Sequence, residues 1–378
     1  VTAGYQAALM VPTEILANQH YHKISAMLED FGVRVALLTG STKTMERREI
    51  YKELADGSIN VVIGTHALIQ EQVAFKKLGL VIIDEQHRFG VVQRLALINK
   101  GDRPDILAMT ATPIPRSLAL TVYGDTALSE IRHLPAGRKP IKSYWKTSSQ
   151  LDEVYSLMRQ QLAEGFQIYA VTPLISESEM IDLENAEALH DRLAGEFPDQ
   201  EVVLLHGKMA AADKEQIMDR FAAGEVDILV TTSVIEVGVD VANANLMVIF
   251  DADRFGLSQL HQLRGRIGRG QTQSYCVFLA DPKTEAGKQR MKIVAETNDG
   301  FKLAEEDLKM RGEGDLFGKA QSGLPEFRTG SVVSDYQVMV VARDEAKRIV
   351  QADPDLKAEK LADLQAVIKY KKIVQARA

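Results

Sequence analysis

The sequence predicts an α/β fold with two tandem parallel-sheet domains, followed by a mostly helical C-terminal extension. Short apolar runs typical of buried strands alternate with charged amphipathic stretches at helical spacing, which is the pattern of βαβ units. The alternation is interrupted at 134–140, where LPAGRKP has two prolines, a glycine and no apolar period. From residue 281 onward the pattern is helical and more charged. We therefore expect domains at 1–136, 137–281 and 282–378.

Length and composition fit a globular protein of two or three domains. The chain has 378 residues, of which 46% are hydrophobic and 26% charged, and its net charge is -7. This balance argues against a protein that coats nucleic acid throughout, but it leaves room for a local basic track. The single cysteine excludes a disulfide framework, and neither a membrane-spanning run nor a signal peptide is found. We expect a cytoplasmic monomer without a membrane partner.

The elements of the first domain follow in regular order. Apolar runs predict strands at 7–11, 33–38, 80–85 and 105–112, and the stretch 60–69 reads as a strand, a turn and the start of a helix. Apolar residues at helical spacing predict helices at 12–30, 41–57, 90–99 and 114–124. Thr13, directly before Glu14, fits an N-cap, and Gly57 ends the second helix.

The second domain repeats this alternation. Helices are predicted at 150–164, 180–195, 212–224 and 257–270, and strands at 167–175, 201–207, 227–234, 246–252 and 274–280. A lysine-rich amphipathic helix at 357–373 ends the extension. Two like domains in tandem fit an internal duplication, although the sequence identity between them is too low to establish one.

An acidic pair ends the strand Leu80 to Ile83. Asp84 and Glu85 lie where ligands of open α/β sheets bind, outside the carboxyl end of a strand. Phosphoryl transfer needs a metal ion on the phosphates and a group that orients the attacking water, and an aspartate beside a glutamate meets both needs. A solvated acidic pair would explain this fragment about equally well. Polar neighbours extend the site: Gln86, His87, Thr110 and Thr112.

Arginines and glycines alternate at 262–270. The residues are Gln262, Arg264, Gly265, Arg266, Gly268, Arg269 and Gly270. Three glycines would weaken a helix by roughly 1 kcal/mol each, so a solvated basic helix end explains them poorly. Close approach to phosphates explains them better, and arginines three apart on a helix could reach one triphosphate.

Polar turns follow several other strands. Together they suggest a track for a nucleic-acid backbone that uses phosphate contacts and not base edges. The residues are Pro12, Thr13, Gly64, Thr65, His66, His206, Gly207, Thr231 and Thr232. The stretch 230–241 adds Gly238 and Asp240 after the last two threonines, and such strand ends are natural phosphate grips.

These motifs, in the order PTEILANQH, GTHALIQ, DEQHRFG, TATPIPR, TTSVIEVGVDV and QLHQLRGRIGRG, resemble superfamily 2 helicases. DEQHRFGVVQR and DLKMRGEGDLFGKAQSG resemble the RecG branch of ATP-dependent DNA helicases, and the resemblance covers essentially the whole chain. It implies two RecA-like domains with ATP between them and double-stranded or branched DNA, such as stalled forks and Holliday junctions, as the partner.

The resemblance also implies residue roles. Asp84 and Glu85 would be the Mg²⁺-binding and water-activating pair, and Arg266 and Arg269 the arginines that reach ATP from the second domain. Further ATP contacts would come from Gln262, Gly238 and Asp240. Coupling of ATP turnover to movement on DNA would use Gln86, His87, Thr110, Thr112, Arg290, Arg311 and Gln321.

One family motif is not found. No GxxxxGK[ST] phosphate loop precedes PTE, and TGSTKT at 39–44 is rejected because Gly40 is separated from Lys43 and follows PTE. The family's N-terminal wedge domain is not found either. We therefore expect a C-terminal motor fragment that alone hydrolyses almost no ATP, does not prefer forked DNA, and exposes a sheet flank in its first domain.

Two alternatives stay open. A transcription-repair coupling translocase would share the C-terminal helical hairpin, whereas the histidine of DEQH and the residues 306–323 favour the RecG branch. A non-catalytic nucleic-acid-binding module would have lost its phosphate loop. The presence of Glu85 and the paired arginines, which only catalysis needs, favours truncation over loss.

Overall fold

The computed structural model describes residues 1–111, 127, 129–131, 137–173, 179–232, 241–311 and 335–375. The chain divides into two compact units, one that contains both β-sheets and extends to Leu303, and one that contains the helices from Ala304 onward. Among the described residues, no helix is both long and apolar enough to cross a membrane.

The first sheet is parallel, with strand order β2-β3-β1-β4-β5. Its strands are β1 (Gln6–Met10), β2 (Val35–Leu38), β3 (Val61–Gly64), β4 (Leu78–Ile83) and β5 (Asp105–Ala108). Its helices are α1 (Glu14–Leu28), α2 (Thr44–Asp56) and α3 (Val91–Ile98).

Both predicted helix boundaries of this domain are confirmed. The Thr13 hydroxyl accepts a hydrogen bond from the Leu16 amide at 3.4 Å and thereby caps α1. Gly57 ends α2 in the left-handed conformation, with φ of 85°, which costs glycine little. The predicted helix 114–124 lies outside the described residues.

The second sheet is also parallel and has the order β6-β11-β10-β7-β9-β8. Its strands are β6 (Lys142–Lys146), β7 (Gln167–Val171), β8 (Val202–Leu205), β9 (Ile228–Thr231), β10 (Ala244–Ile249) and β11 (Tyr275–Leu279). Its helices are α4 (Leu151–Ala163), α5 (Glu179–Glu196), α6 (Ala211–Ala222) and α7 (Leu257–Arg264). Strand β6 was not predicted.

The two sheets share one topology. Without β6, the order β8-β9-β7-β10-β11 of the second sheet repeats the order of the first, strand for strand. Gln6 and Gln167, the first residues of β1 and β7, are both buried, and each side-chain amide donates to two backbone carbonyls. The acceptors are Leu54 and Ile59 at 2.9 and 2.8 Å, and Phe221 and Val226 at 2.6 and 2.7 Å. The structure thus supports the internal duplication that the sequence left open.

The two sheets differ in how far helices cover their strands. In the second domain α4 contributes Val154, Tyr155 and Met158 to a core that includes residues of β7 and β10. In the first domain all four residues of β5 are exposed, and within the described part of the chain β5 pairs only with β4. The expected exposed flank is therefore present at β5.

The C-terminal extension is helical, as predicted. Its helices are α8 (Glu285–Glu296), α9 (Gly300–Arg311), α10 (Tyr336–Ala352) and α11 (Ala362–Gln375). Helix α8 contacts β6 of the second sheet.

One predicted helix was too long. Helix α7 ends at Arg264 with Gly265 as its C-cap. The prediction that residues 265–270 continue this helix was therefore wrong. Glycine is a poor helix former, and Gly268 adopts the left-handed conformation with φ of 73°, which an α-helix cannot accommodate.

Candidate functional site

The acidic pair lies directly after β4. The Asp84 amide donates to the Met10 carbonyl at 3.0 Å, which places the pair beside the end of β1. Glu85 has φ of 49° and ψ of 48°, a left-handed conformation that costs a non-glycine residue roughly 1–2 kcal/mol.

Two contacts fix the Asp84 carboxylate. One oxygen, Oδ1, accepts a hydrogen bond from the Glu85 amide at 2.9 Å. The other, Oδ2, lies 3.2 Å from His20 Nε2 on α1. His20 belongs to the PTEILANQH motif but was not predicted as a site residue, because nothing in the local sequence shows that it meets an acid 64 residues away.

The Glu85 carboxylate belongs to a polar cluster that spans the ends of β4 and β5. Its Oε2 lies 3.5 Å from His87 Nδ1 and accepts from the Ala111 amide at 3.4 Å. The same His87 nitrogen lies 3.2 Å from the Thr110 hydroxyl. The structure therefore brings Glu85, His87 and Thr110 together as predicted from their strand ends, whereas Thr112 lies outside the described residues.

Gln86 connects this cluster to the sheet. It is buried, and its amide donates to the Met109 carbonyl at 3.0 Å. Its side-chain oxygen accepts from Arg94 of α3 at 3.5 Å. A buried, hydrogen-bonded position between β4, β5 and α3 suits a residue that transmits small movements of the acidic turn.

The carboxylates of Asp84 and Glu85 suit Mg²⁺ better than a metal ion whose ligands all come from the protein. Among the described residues, no three histidine, cysteine, aspartate or glutamate side chains form a metal-binding group. Mg²⁺ is usually held by one or two carboxylates, with water and substrate phosphates in the other positions. The Asp84 side chain is 21% exposed and the Glu85 side chain 19%, so both can be reached from solvent.

The loop after β2 is tied to the start of α1. Glu14 accepts from the Ser41 amide at 3.0 Å and from the Ser41 hydroxyl at 2.7 Å. A phosphate loop offers free backbone amides to its ligand, whereas this amide is occupied by a carboxylate. This geometry agrees with the rejection of TGSTKT as a phosphate loop.

The predicted polar turns of the first domain differ in exposure. A Cβ on Gly64 would lie 2.1 Å from the Leu38 carbonyl oxygen, so strand packing alone requires glycine there. Thr65 is 2% exposed, and its buried hydroxyl has no hydrogen-bond partner among the described residues. His66 is exposed, and Pro12 and Thr13 are half-buried. His66 is therefore the member of GTH that is best placed for a surface contact.

The polar turns of the second domain are more buried. Thr231 and Thr232 are 0% and 2% exposed, and the Thr231 hydroxyl donates to the Thr232 carbonyl at 2.9 Å. Within the described part of the chain, His206 Nδ1 is buried without a hydrogen-bond partner, and Gly207 is exposed. Gly238 and Asp240 lie outside the described residues.

The three arginines after α7 have different environments. Arg264 is 2% exposed, and its Nη1 donates to the carbonyls of Val294 at 2.7 Å and Thr297 at 2.9 Å. Burial lowers the pKa of Arg264. This arginine therefore holds the end of α8 and has a structural role.

Arg266 and Arg269 lie in the turn after the helix and not on one helical face, which corrects the sequence-based geometry. They flank Ile267, which is fully buried, and Gly268. Burial raises the pKa of Tyr169 on β7, and the charges of Arg266 and Arg269 oppose this shift, so both guanidinium groups lie near that strand. Arg269 is exposed and Arg266 half-buried. Gln262 is half-buried on α7.

The predicted coupling residues are only partly described. Arg290 on α8 donates through Nη1 to the Asp253 carbonyl at 3.2 Å, and its buried Nε has no hydrogen-bond partner in the ranges that the structure describes. Arg290 thus ties the extension to the turn between β10 and α7. Arg311 is the last residue of α9, but its side chain is not described, and Gln321 lies outside the described residues.

Three family models match the chain. Residues 1–121 match DEAD/DEAH box helicase, and residues 149–271 match helicase conserved C-terminal domain. Residues 297–375 match ATP-dependent DNA helicase RecG, domain 3, C-terminal.

Curated relatives match nearly the whole chain. The ATP-dependent DNA helicase RecG of Bacillus subtilis (strain 168) is 53% identical over 354 residues, which are 93% of this chain and 52% of that protein. The protein of the same name from Streptococcus pneumoniae serotype 4 is 55% identical over 361 residues, which are 94% of this chain and 54% of that protein. The chain spans about half the length of the curated relatives it matches.

Solved structures agree with these matches. RecG bound to a three-way DNA junction has a TM-score of 0.70 and 44% identity, with 89% of this chain and 44% of that chain covered. Dbp5 of S. cerevisiae bound to RNA and ADP BeF3 has a TM-score of 0.54 and 14% identity, with 90% and 81% covered, and supports the fold alone. The two RecA-like parallel-sheet domains predicted from the sequence are confirmed.

Proposed function

The chain belongs to the RecG family of ATP-dependent DNA helicases, and from this membership we propose that it forms the motor part of an enzyme that hydrolyses ATP to move along branched DNA. The relatives' identity of 53% and 55% favours this over a transcription-repair coupling translocase. In the proposed division, residues 1–136 and 137–281 are the two motor domains, and 282–378 couples them to DNA.

The geometry of the acidic pair carries the proposal. Asp84, fixed by His20 and by the Glu85 amide, would hold Mg²⁺. Mg²⁺ would neutralise charge on the β and γ phosphates of ATP. Glu85, held beside His87 and the Ala111 amide, would orient and deprotonate the attacking water. Its strained backbone keeps the carboxylate in a fixed direction.

The second domain would contribute positive charge. Arg266 and Arg269 would stabilise the charge that develops on the transferred phosphoryl group, since guanidinium groups bind phosphate oxygens in a fork. Gln262, Gly238 and Asp240 would complete the ATP contacts. The buried Arg264 would take no direct part in this chemistry, because it is 2% exposed and its Nη1 donates to two carbonyls at the end of α8.

DNA would be held through its backbone. Exposed or half-buried groups at strand ends would supply such contacts without reading bases, and these are Pro12, Thr13, His66, His206 and Gly207. The other proposed residues are buried and would shape the turns that carry these contacts: Gly64, Thr65, Thr231 and Thr232. The net charge of -7 makes a local track of this kind more plausible than a broad basic surface.

Coupling would begin at the acidic turn. The contacts of Gln86 and of His87 with Thr110 connect that turn to β5, so a change at the γ phosphate would reach the next strand. Arg290 would transmit movement of the second domain to the extension through the Asp253 carbonyl. Thr112, Arg311 and Gln321 complete the proposed set.

The open edge of β5 supports a further strand in the full-length protein. In the second sheet the corresponding edge, on β11, is paired with β6, which α4 and β7 follow in the chain. We infer that a strand and helix like β6 and α4, ahead of β1, complete the first sheet and carry the phosphate loop. The exposed Ile106 and Leu107 of β5 would then be covered.

The test is DNA-stimulated ATP hydrolysis by the full-length protein. Glu85→Gln should lower kcat by roughly 100-fold or more, because general-base catalysis contributes about that factor. The control is Glu46→Gln, an exposed glutamate in the first turn of α2, which should leave kcat unchanged. Equal activity of the two variants would contradict the role of Glu85. A wild-type protein that binds DNA but hydrolyses no ATP would favour the non-catalytic binding module.

A further inference from the structure

The turn 265–270, here called the arginine loop, is held by an arginine from the segment directly before β6. Arg138 Nε donates to the Gly268 carbonyl at 2.7 Å, and its Nη2 donates to the Ile267 carbonyl at 3.2 Å. Arg138 is half-buried and lies 130 residues from Gly268 in the chain. Sequence reading placed it in a linker.

The two acceptors explain why an arginine is needed. A guanidinium presents several donors in a rigid planar fork, so it can bind two consecutive carbonyls at once. Ile267 and Gly268 are the two residues between Arg266 and Arg269. Fixing their two carbonyls therefore fixes the backbone from which both flanking guanidinium groups extend.

Neighbouring residues of the same segment add contacts to the loop. A Cβ on Gly268 would lie 2.9 Å from Ile141 Cγ1, so Ile141 packs directly on the loop. The Ile141 carbonyl accepts from Asn298, between α8 and α9, at 2.9 Å. The Pro140 carbonyl accepts from Gln273 at 2.8 Å. Residues 138–141 thus fasten the loop to the strand that follows it and to the start of the extension.

The charge of Arg138 also bears on the loop. Partial burial and the nearby Arg138 guanidinium lower the pKa of Arg269. The two positive charges repel each other, so Arg138 influences the electrostatics of the loop as well as its backbone.

We propose that Arg138 is a positioning residue for Arg266 and Arg269. It binds the two carbonyls between them and keeps both guanidinium groups directed at a phosphate. The inference rests on the proposed role of these two arginines in ATP hydrolysis. Since Arg138 lies directly before β6, a change in the path of residues 138–141 would move the arginine loop directly.

The position of the loop is tested in the 378-residue chain without nucleotide. Arg138→Gln should raise amide hydrogen-exchange rates at 266–270 by roughly tenfold or more, because the loop loses the two hydrogen bonds that hold its backbone. Lys139→Gln is the control, since it removes the same charge from an exposed neighbour. Exchange rates at 167–171 on β7 report that the domain is folded. Unchanged exchange at 266–270 in Arg138→Gln would overturn the proposal.

The consequence for catalysis is tested in the full-length protein. Arg138→Gln should lower kcat roughly 10- to 100-fold with little change in the KM for ATP, because misplaced catalytic groups cost rate more than binding. Arg138→Lys, which keeps the charge but not the fork, should fall between Arg138→Gln and wild type. A KM effect without a kcat effect would contradict positioning.

The variant Arg266→Ala distinguishes a failure of the positioning role of Arg138 from a failure of the proposed function of the arginine loop. If Arg266→Ala lowers kcat and Arg138→Gln does not, the positioning role of Arg138 is wrong and the proposed function stands. If Arg266→Ala leaves kcat unchanged, the proposed function of the loop is wrong, and the hydrogen-exchange result still decides whether Arg138 holds it.

Discussion

Glu85 and Asp251 occupy the same backbone position in the two sheet domains. Their φ and ψ are 49° and 48° for Glu85 and 47° and 43° for Asp251, and each precedes a 3-10 turn. The sequences that follow are RFGVVQ at 88–93 and RFGLSQ at 254–259, and in both the glutamine side chain accepts from the amide of the glycine. The turn is therefore an inherited part of the duplicated fold.

The residue before this position differs between the domains. Asp84 and Phe250 both donate their amides to the preceding central strand, to Met10 at 3.0 Å and Val171 at 2.8 Å. Phe250 is 5% exposed and belongs to the hydrophobic core. The second domain thus keeps the strained turn but replaces the proposed metal ligand with an aromatic side chain. This difference supports a single hydrolytic centre at the acidic pair of the first domain.

Replacement of Asp251 should show what the left-handed backbone conformation costs in free energy of unfolding, at a position outside the proposed catalytic pair. A β-branched residue tolerates the left-handed conformation poorly, whereas glycine adopts it freely, so we expect Asp251→Val to be less stable than Asp251→Gly by about 1–3 kcal/mol. Urea unfolding of the 378-residue chain measures the difference. Equal stability of the two variants would show that the turn rearranges without cost.

The buried glutamines should matter equally in both domains. Gln167→Leu removes two hydrogen bonds to buried carbonyls, so it should lower the free energy of unfolding by about 2 kcal/mol. Gln6→Leu should have a similar effect on the first domain. Gln160→Leu on the exposed side of α4 is the control. A change below about 0.5 kcal/mol for both buried positions would mean that other donors replace the amides.

The stability of the second domain should fall as the pH falls below neutrality. Burial, and then the charge of Arg264, lower the pKa of His261 from 6.5 to about 4. Between these values the unfolded chain binds a proton that the folded chain does not, so lowering the pH from 7 to 5 should cost about 2 kcal/mol of unfolding free energy.

His261→Gln should flatten this part of the pH profile, whereas the exposed His22→Gln should leave it in place. Urea unfolding at pH 5 and pH 7 measures both effects. A profile that keeps its slope in His261→Gln would assign the dependence to another group.

The fold was largely predictable because it depends on local patterns. Apolar runs and helical spacing located ten of the eleven described strands, and the motifs at strand ends located the acidic pair. Strand β6, with the sequence KSYWK, was missed because polar and aromatic residues alternate there directly after a linker. The glycines at 265–270 were correctly predicted to weaken a helix. The predicted helix nevertheless extended to residue 270, whereas α7 ends at Arg264.

Contacts between distant residues were not predictable. His20 and Arg138 each contact a group far along the chain. His20 lies in the PTEILANQH motif and Arg138 in a segment read as a linker, but neither stretch shows which distant group the side chain meets. Arg264 shows the opposite error, since its place among three clustered arginines suggested a ligand contact, and only the fold reveals the carbonyls it binds.

His20 provides a final test of the acidic pair. Residues that orient a metal ligand typically contribute 10- to 100-fold to metal affinity or activity, so in the full-length protein His20→Asn should raise the Mg²⁺ concentration for half-maximal ATP hydrolysis roughly tenfold. His22→Asn is a matched control, because His22 lies on the same helix, is exposed and packs edge-on against Tyr21. The affinity for the metal can also be measured without turnover. Mg²⁺ is allowed to displace bound Mn²⁺ in the presence of ADP, and the Mn²⁺ signal is followed by electron paramagnetic resonance. If His20→Asn and His22→Asn require the same Mg²⁺ concentration, the 3.2 Å contact between His20 and Asp84 does not prepare the carboxylate for a metal.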